Sequence, residues 1–198
     1  MQIWKKIGKI FEVKNNFDWM VTHATLPFVG EIIGDNVKVF FSTRNINQES
    51  SVAFVVFDIN TLQIKDISKN PVLSKGELGC FDDSGVMGCC VIDVGDAKRM
   101  YYIGWNLGVT VPFRNSIGIA ESVDDGMTYL KPYSGPIVDR TKDEPYFSAS
   151  NCVLFDQGLY KMWYLSCTGR DLGESGNVIH KYHIKYAESL DGIQWNRH

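Results

Sequence analysis

At 198 residues, 44% hydrophobic and 13% aromatic, the chain is long enough to enclose a core and too apolar to be disordered. Twenty-three acidic against 20 basic residues give a formal charge of −3, and no basic cluster extends beyond Lys5-Lys6, which argues against a nucleic-acid partner. No apolar run approaches the roughly 20 residues needed to cross a bilayer, so no membrane span is expected.

The opening stretch, Met1 to Phe11, lacks the continuous apolar core and small-residue cleavage site of a secretory signal. Its Ile and Lys residues fit a strand or a cover for a bottom edge. His23-Ala24-Thr25-Leu26-Pro27 then leads into Phe28-Val29 and Ile32-Ile33. Gly79 to Asp83 carries two adjacent carboxylates, Asp82 and Asp83, into the run Val86-Met87-Gly88-Cys89-Cys90-Val91-Ile92. A short apolar run of this kind reads as a strand buried on both faces. Asp143-Glu144-Pro145-Tyr146 does the same ahead of Cys152-Val153-Leu154-Phe155. These runs predict the inner strands of three repeated units whose N-terminal ends meet at one site.

The repeat is explicit further along. Ala120-Glu121-Ser122 recurs 67 positions later as Ala187-Glu188-Ser189, the first followed by Asp125-Gly126 and the second by Asp191-Gly192. Pro71-Val72-Leu73 recurs 65 positions later as Pro136-Ile137-Val138. Asp-Gly between apolar strands is a hairpin signal. The second unit reads as strands over 86–94, 99–105, 116–122 and 127–131, and the third as strands over 152–155, 159–166, 183–189 and 193–197. No amphipathic helix is visible. The fold class is therefore all-β, one domain over 1–198, and four antiparallel strands at this spacing read as β-propeller blades. Blade one covers about 17–70, blade two about 79–133 and blade three about 144–198. Three blades leave two outer faces bare. Phe28, Phe40, Phe54 and Phe57 are expected on one and Trp163, Tyr186 and Trp195 on the other, so the chain is expected to form a homo-oligomer.

The five cysteines, Cys80, Cys89, Cys90, Cys152 and Cys167, have no CxxC spacing. They read as buried reduced thiols, with Cys89 and Cys90 on opposite faces of a strand. That implies a cytoplasmic location. No phosphate-cradling glycine loop, nucleophile elbow or dinucleotide fingerprint is present, so no cofactor is called for. The His180, Tyr182 and His183 group has no ligand spacing and reads as packing rather than a metal site.

Several segments together resemble the five-bladed propeller glycosidases, the superfamily of glycoside hydrolase families 32, 43, 62, 68 and 130. They are Trp4 to Phe11, His23-Ala24 with Pro27, Phe41-Ser42-Thr43-Arg44, Gly79 with Phe81-Asp82-Asp83, Tyr102-Ile103-Gly104-Trp105, Glu144-Pro145-Tyr146, Lys161-Met162-Trp163-Tyr164 and Tyr186-Ala187-Glu188-Ser189. The resemblance covers essentially the whole chain. It is nearest to a group associated with bacterial polysaccharide gene clusters, and it implies that about two further blades would complete the ring.

Glycosidic cleavage uses two carboxyl groups, one protonated and one ionised. The family 43 pattern places a general base at blade one, a modulator of the acid's pKa at blade two and a general acid Glu at blade three. By that resemblance Glu144 is the acid and Asp83 or Asp82 the base or modulator. The blade-one position holds Leu26-Pro27 instead of an Asp. Three readings therefore stand: a glycosidase, a propeller that binds carbohydrate without cutting it, or a truncated glycosidase homologue without activity. The bland alternatives are that Asp82 and Asp83 cap a turn and that Glu144 is a loop charge. Candidates for substrate binding are His23, Arg44, Trp105, Arg114, Asn115, Tyr146 and Arg170. Arg44 alternatively pairs with Asp58 or Asp82, and Trp105 is alternatively core. Arg114, Asn115 and Arg170 lie in long loops, where binding residues concentrate.

Overall fold

The computed structural model describes residues 4–198; the first three positions of the opening stretch lie outside them. Every regular element among the described residues is a strand. The first unit is the antiparallel meander β1 (Thr22–Ile33), β2 (Asn36–Arg44), β3 (Ser50–Asp58) and β4 (Ile64–Ile67). The second is β5 (Gly85–Val94), β6 (Ala97–Leu107) and β7 (Phe113–Ser122). Its expected fourth strand is reduced to a single bridge between Glu121 and Leu130. The third is β8 (Ser148–Asp156), β9 (Leu159–Leu172), β10 (Val178–Ser189) and the short β11 (Asn196–Arg197). A lone parallel bridge, Ser50 to Gly85, joins the first two units into one sheet, and the third is a separate sheet.

The units superpose in register. β2, β6 and β9 begin at Asn36, Ala97 and Leu159, each paired with the last residue of the strand before it. Side chains alternate faces along a strand, so the fifth residue of each looks forward along the chain and the sixth looks back. Phe40 is buried between units one and two, and Tyr101 between units two and three. Full burial of such a ring is worth about 1.5–3 kcal/mol. Trp163, at the same place in unit three, is 40% exposed. The linkers obey the repeat as well: Leu73 bridges Val52 and Val138 bridges Ile117, as the Pro-Val-Leu and Pro-Ile-Val recurrence predicts.

The Asp-Gly turns are what the forward faces grip. In unit two the Ser122 hydroxyl donates to Asp124 and accepts from the amide of Gly126, whose φ is +73°. In unit three Ser189, Asp191 and Gly192 (φ +72°) repeat that turn. Lys38 of unit one donates to the carbonyl of Asp125 (2.8 Å). Arg99, its counterpart in unit two, donates to the carbonyl of Asp191 (2.9 Å), and Tyr101 donates to that of Gly192 (3.0 Å). Lys161 is the third of the series, and it folds back on Asp156 at 2.6 Å.

Of the two bare faces the sequence suggested, the one on unit one is not found. Phe40 and Phe54 are at most 2% exposed between units one and two, with Phe28 packed against them. The rear face of unit one is covered by Phe11, Val13, Phe17 and Trp19, which pack on Met20, Phe41, Ala53 and Val55. Of the opening stretch only Phe11 joins this cover; Trp4 and Ile7 are exposed, and Trp4 to Lys9 form no strand. Phe57 lines a groove beside that cover. Trp195 packs inward on the core between units two and three. The exposed apolar face is that of unit three, where Cys152, Trp163 and Tyr186 lie across from one another with Leu154 and Ile184 beside them.

The cysteines also differ from expectation. A bulge between Gly88 and Cys90 breaks the alternation of β5. Cys89 and Cys90 consequently join the two apolar clusters that β8 shares, the first through Ala149 and the second through Val153. Burial pushes the Cys89 thiol up to about 12. All five thiols are free, and Cys152 is exposed rather than buried.

Candidate functional site

The two most deeply buried acids occupy equivalent places. Asp82 is 1% and Glu144 7% exposed. Each precedes by 20 positions a tyrosine at the rear-facing sixth place of its unit's second strand. Tyr102 donates to Asp82 Oδ2 at 3.0 Å, and Tyr164 donates to Glu144 Oε1 at 2.9 Å. Each acid also meets a cation from the outer edge of its own unit: Lys131 Nζ at 2.6 Å from Asp82, and Arg197 Nη1 at 3.6 Å from Glu144. These cations match in register. Ala187 faces Met162 on one side and Arg197 on the other, while Ala120 faces Met100, and Lys131 follows the Glu121–Leu130 bridge.

Unit one holds the same triangle in apolar form. Val55 faces Val39 and Ile67, and Met20, Phe41 and Ile67 come together in one cluster. The acid–tyrosine–cation triangle therefore clamps the loop before each inner strand to the second and fourth strands of its unit. Gly76 leaves room for the Asp82 carboxylate, which a Cβ there would strike.

Glu144 is the more heavily bound of the two. Ser166 donates to Oε2 at 2.9 Å and Lys185 to Oε1 at 3.1 Å. Burial acts to raise its pKa, but the bonds from Ser166, Tyr164 and Lys185 and the Arg197 charge outweigh it and hold the carboxyl below the usual glutamate range. The partner tyrosines move the other way. Burial first, then the adjacent carboxylate, pushes Tyr102 and Tyr164 well above the ordinary phenol value. Asp83 does something else. It accepts from the Gly79 amide (3.0 Å), the Ser84 hydroxyl (2.9 Å) and Asn106 (3.0 Å), closing the loop ahead of β5. Those bonds outweigh burial and lower its pKa.

The binding candidates fall at the two junctions between units. At the first, the Arg44 guanidinium lies 5.6 Å from the centre of the Trp105 ring. Trp105 is 8% exposed, and its indole donates to Ser50 Oγ at 2.7 Å. Gly85 permits this, since a Cβ there would stand 2.6 Å from both the Ser50 amide and the indole nitrogen. Asn115 is paired with Trp105 across β6 and β7 and is buried, while Arg114 beside it is exposed. At the second junction Arg170 lies 5.5 Å over Tyr146 and 5.4 Å over Phe147. His180 stacks on Phe113 at 4.9 Å and meets Phe147 edge-on at 5.5 Å. His23 stands apart on β1, exposed, with a φ of +67° and its ring 2.8 Å from Thr22 Oγ1. Among the described residues no group of three His, Cys, Asp or Glu side chains could hold a metal ion, and no helix is long and apolar enough to cross a membrane.

No protein-family profile matches the chain. Two curated relatives from strains of Mycobacterium tuberculosis, both described as uncharacterized proteins, are 37% identical over 195 residues, 98% of this chain. The chain spans 64% of the length of each. A solved structure described as a glycoside hydrolase aligns with a TM-score of 0.75 over 98% of this chain and 60% of its own, at 15% identity. A family 117 glycoside hydrolase of the marine bacterium Zobellia galactanivorans aligns with a TM-score of 0.72 over 95% and 58%, at 8% identity. A thermostable family 43 glycoside hydrolase gives 0.63 over 91% and 55%, at 16% identity. The chain has the fold of the glycosidase-type propellers.

Within that propeller fold, the acids singled out in the sequence are spoken for. Asp82 and Glu144 bond within their own units and share no partner. Glu144 is ionised, whereas a general acid needs a raised pKa. Arg44 pairs with neither Asp58 nor Asp82, whose cations are Lys65 and Lys131. Trp105 is a ring backed by Arg44 and pinned by Ser50 instead of an open platform. Sequence reasoning missed Phe113, Phe147 and His180 as neighbours of Tyr146 and Arg170. It also missed the partners of the acids, Tyr102, Lys131, Tyr164, Lys185 and Arg197.

Proposed function

We propose that the three units are blades of a glycosidase-type propeller and that the protein recognises a carbohydrate at the strand-end rim of those blades. The observation that carries this reading is the Arg–aromatic pair at the second junction, Arg170 on half-buried Tyr146. Aromatic faces take the C–H side of a sugar ring, and guanidinium groups take its oxygens. Recognition without cleavage is favoured by the ionised state of Glu144 and the Asp82–Lys131 pair, because cleavage needs a protonated carboxyl opposite an ionised one. Hydrolysis is the second reading, favoured by the glycoside hydrolases that share the fold.

A glycan array followed by chromatographic product analysis separates the two. Retention of a glycan without products supports recognition. Products that vanish in Glu144→Gln support hydrolysis. A chain that neither holds nor cuts any glycan contradicts both.

We also infer that the exposed face of unit three associates with a second copy. Its Trp163 and Lys161 occupy the places from which Phe40, Tyr101, Lys38 and Arg99 grip the next unit. The rear face of unit one is covered, which leaves the two copies to meet through the same face.

A further inference from the structure

We propose that Arg170 and His180 receive an oxyanion, so that the saccharide recognised at the second junction is an acidic one. This rests on the carbohydrate reading and goes beyond it by naming the chemical class. Arg170 and His180 face each other across β9 and β10. Nε and Nη2 of Arg170 and Nε2 of His180 are all shielded from solvent, and none has a hydrogen-bond partner. Buried polar atoms are nearly always paired, and leaving one unpaired costs about 1–3 kcal/mol. Three such nitrogens around one ring, Phe147, are an unmet demand for an acceptor.

The atoms concerned specify that acceptor. Nε and Nη2 are the two nitrogens on one edge of a guanidinium, the edge that takes a carboxylate through parallel bonds. Arg99 uses the same edge in this chain, with both nitrogens on Glu121 Oε1 at 2.9 and 2.7 Å. Among the described residues no acid meets Arg170, and the adjacent Asp171 is held by Lys181 at 2.6 Å. Burial and the Arg170 charge hold the His180 pKa below its ordinary value. The pair therefore offers one fixed positive charge and a neutral ring nitrogen. Half-buried Tyr146 lies under Arg170, and exposed Tyr182 stacks beside His180 with ring centres 6.4 Å apart. Tyr146 and Tyr182 supply flat faces for the sugar that carries the anion.

The shared chemistry is an oxyanion on a pyranose, whether carboxylate, sulfate or phosphate. The test is an NMR titration of the whole chain, labelled at arginine side chains, with glucuronate, glucose 6-sulfate, glucose 6-phosphate and glucose. Saturating shifts of the Arg170 Nε resonance are expected with at least one anionic sugar, at an affinity about tenfold or more above glucose, the size of one charge-assisted hydrogen bond. Which anion binds best identifies the group. Arg170→Lys keeps the charge and loses the fork, so it should weaken the anionic sugar about tenfold and leave glucose unchanged. Equal binding of glucose and all three anions, or an Arg170→Lys chain that binds like the parent, overturns the acidic class while leaving carbohydrate recognition standing. No binding of any sugar here, together with an empty glycan array, overturns both.

Discussion

The triangle of Asp82, Tyr102 and Lys131 can be exchanged for the one that unit one already carries. Asp82→Met, Tyr102→Phe and Lys131→Ile together reproduce Met20, Phe41 and Ile67. Single removal is costly. In Asp82→Met, Tyr102 loses its acceptor inside the core, at about 1–3 kcal/mol. Lys131, whose side chain is only 19% exposed, loses the carboxylate 2.6 Å away. Breaking a buried pair from one side costs about 3–5 kcal/mol. Lys131 can turn its ammonium to water, so the lower half of that range applies, about 3–4 kcal/mol. The triple variant leaves no charge and no orphan hydroxyl, and should lie within about 1 kcal/mol of the parent or above it. Guanidinium unfolding of the single, double and triple variants gives the coupling energy directly. A single variant as stable as the parent, or a triple no better than the single, would refute the clamp. A triple variant that folds normally yet loses glycan binding would return Asp82 to the binding machinery.

Three other outcomes follow from the same geometry. The Glu144 pKa is depressed below 4.5 in the folded protein, so its stabilisation is complete above the unfolded carboxylate value and is lost as pH falls through the folded one. Parent stability should therefore drop more steeply below about pH 4.5 than that of Glu144→Gln, and parallel acid-unfolding curves would contradict the assignment. Gly85→Ala sets a methyl against Ser50 and the Trp105 indole at a φ of +152°. It should cost about 1–3 kcal/mol and loosen the Trp105 ring, read as a red-shifted, weaker fluorescence band; an unchanged spectrum and midpoint would show that the junction tolerates the bulk. The inferred association predicts a concentration-dependent rise in the parent's light scattering that Trp163→Lys abolishes, and a parent chain that is monomeric at every concentration would remove the association surface.

Much of the fold was legible because turn chemistry and spacing are local. Ser189-Leu190-Asp191-Gly192 and Ser122 to Gly126 declare the same turn, and the Pro-Val-Leu and Pro-Ile-Val linkers declare the same bridge. The covering role of Phe11 to Trp19 was less visible, since a segment that packs without strand pairing has no period to read. The acids were found and their bonded partners were not. Their partners stand 20 to 53 positions away, and the pattern in unit one is apolar, so no shared letters mark it. The equal spacing of Asp82 to Tyr102 and Glu144 to Tyr164 was the available signal. The Arg170–His180 pairing depends on a register across β9 and β10 that includes a shift between Lys181 and Tyr182, which no residue type announces.

The cover over unit one bears on how large an assembly can grow. Stacking of one unit on the next is directional, and a directional contact that repeats without closing makes a fibre. A chain with bare faces at both ends would offer such a contact twice and could add copies without limit. Phe11, Val13, Phe17 and Trp19 occupy the rear face of unit one, so no further unit can stack there. The aromatic segment ahead of β1 is in this sense a chain terminator: stripping its rings should open the rear face of unit one to stacking.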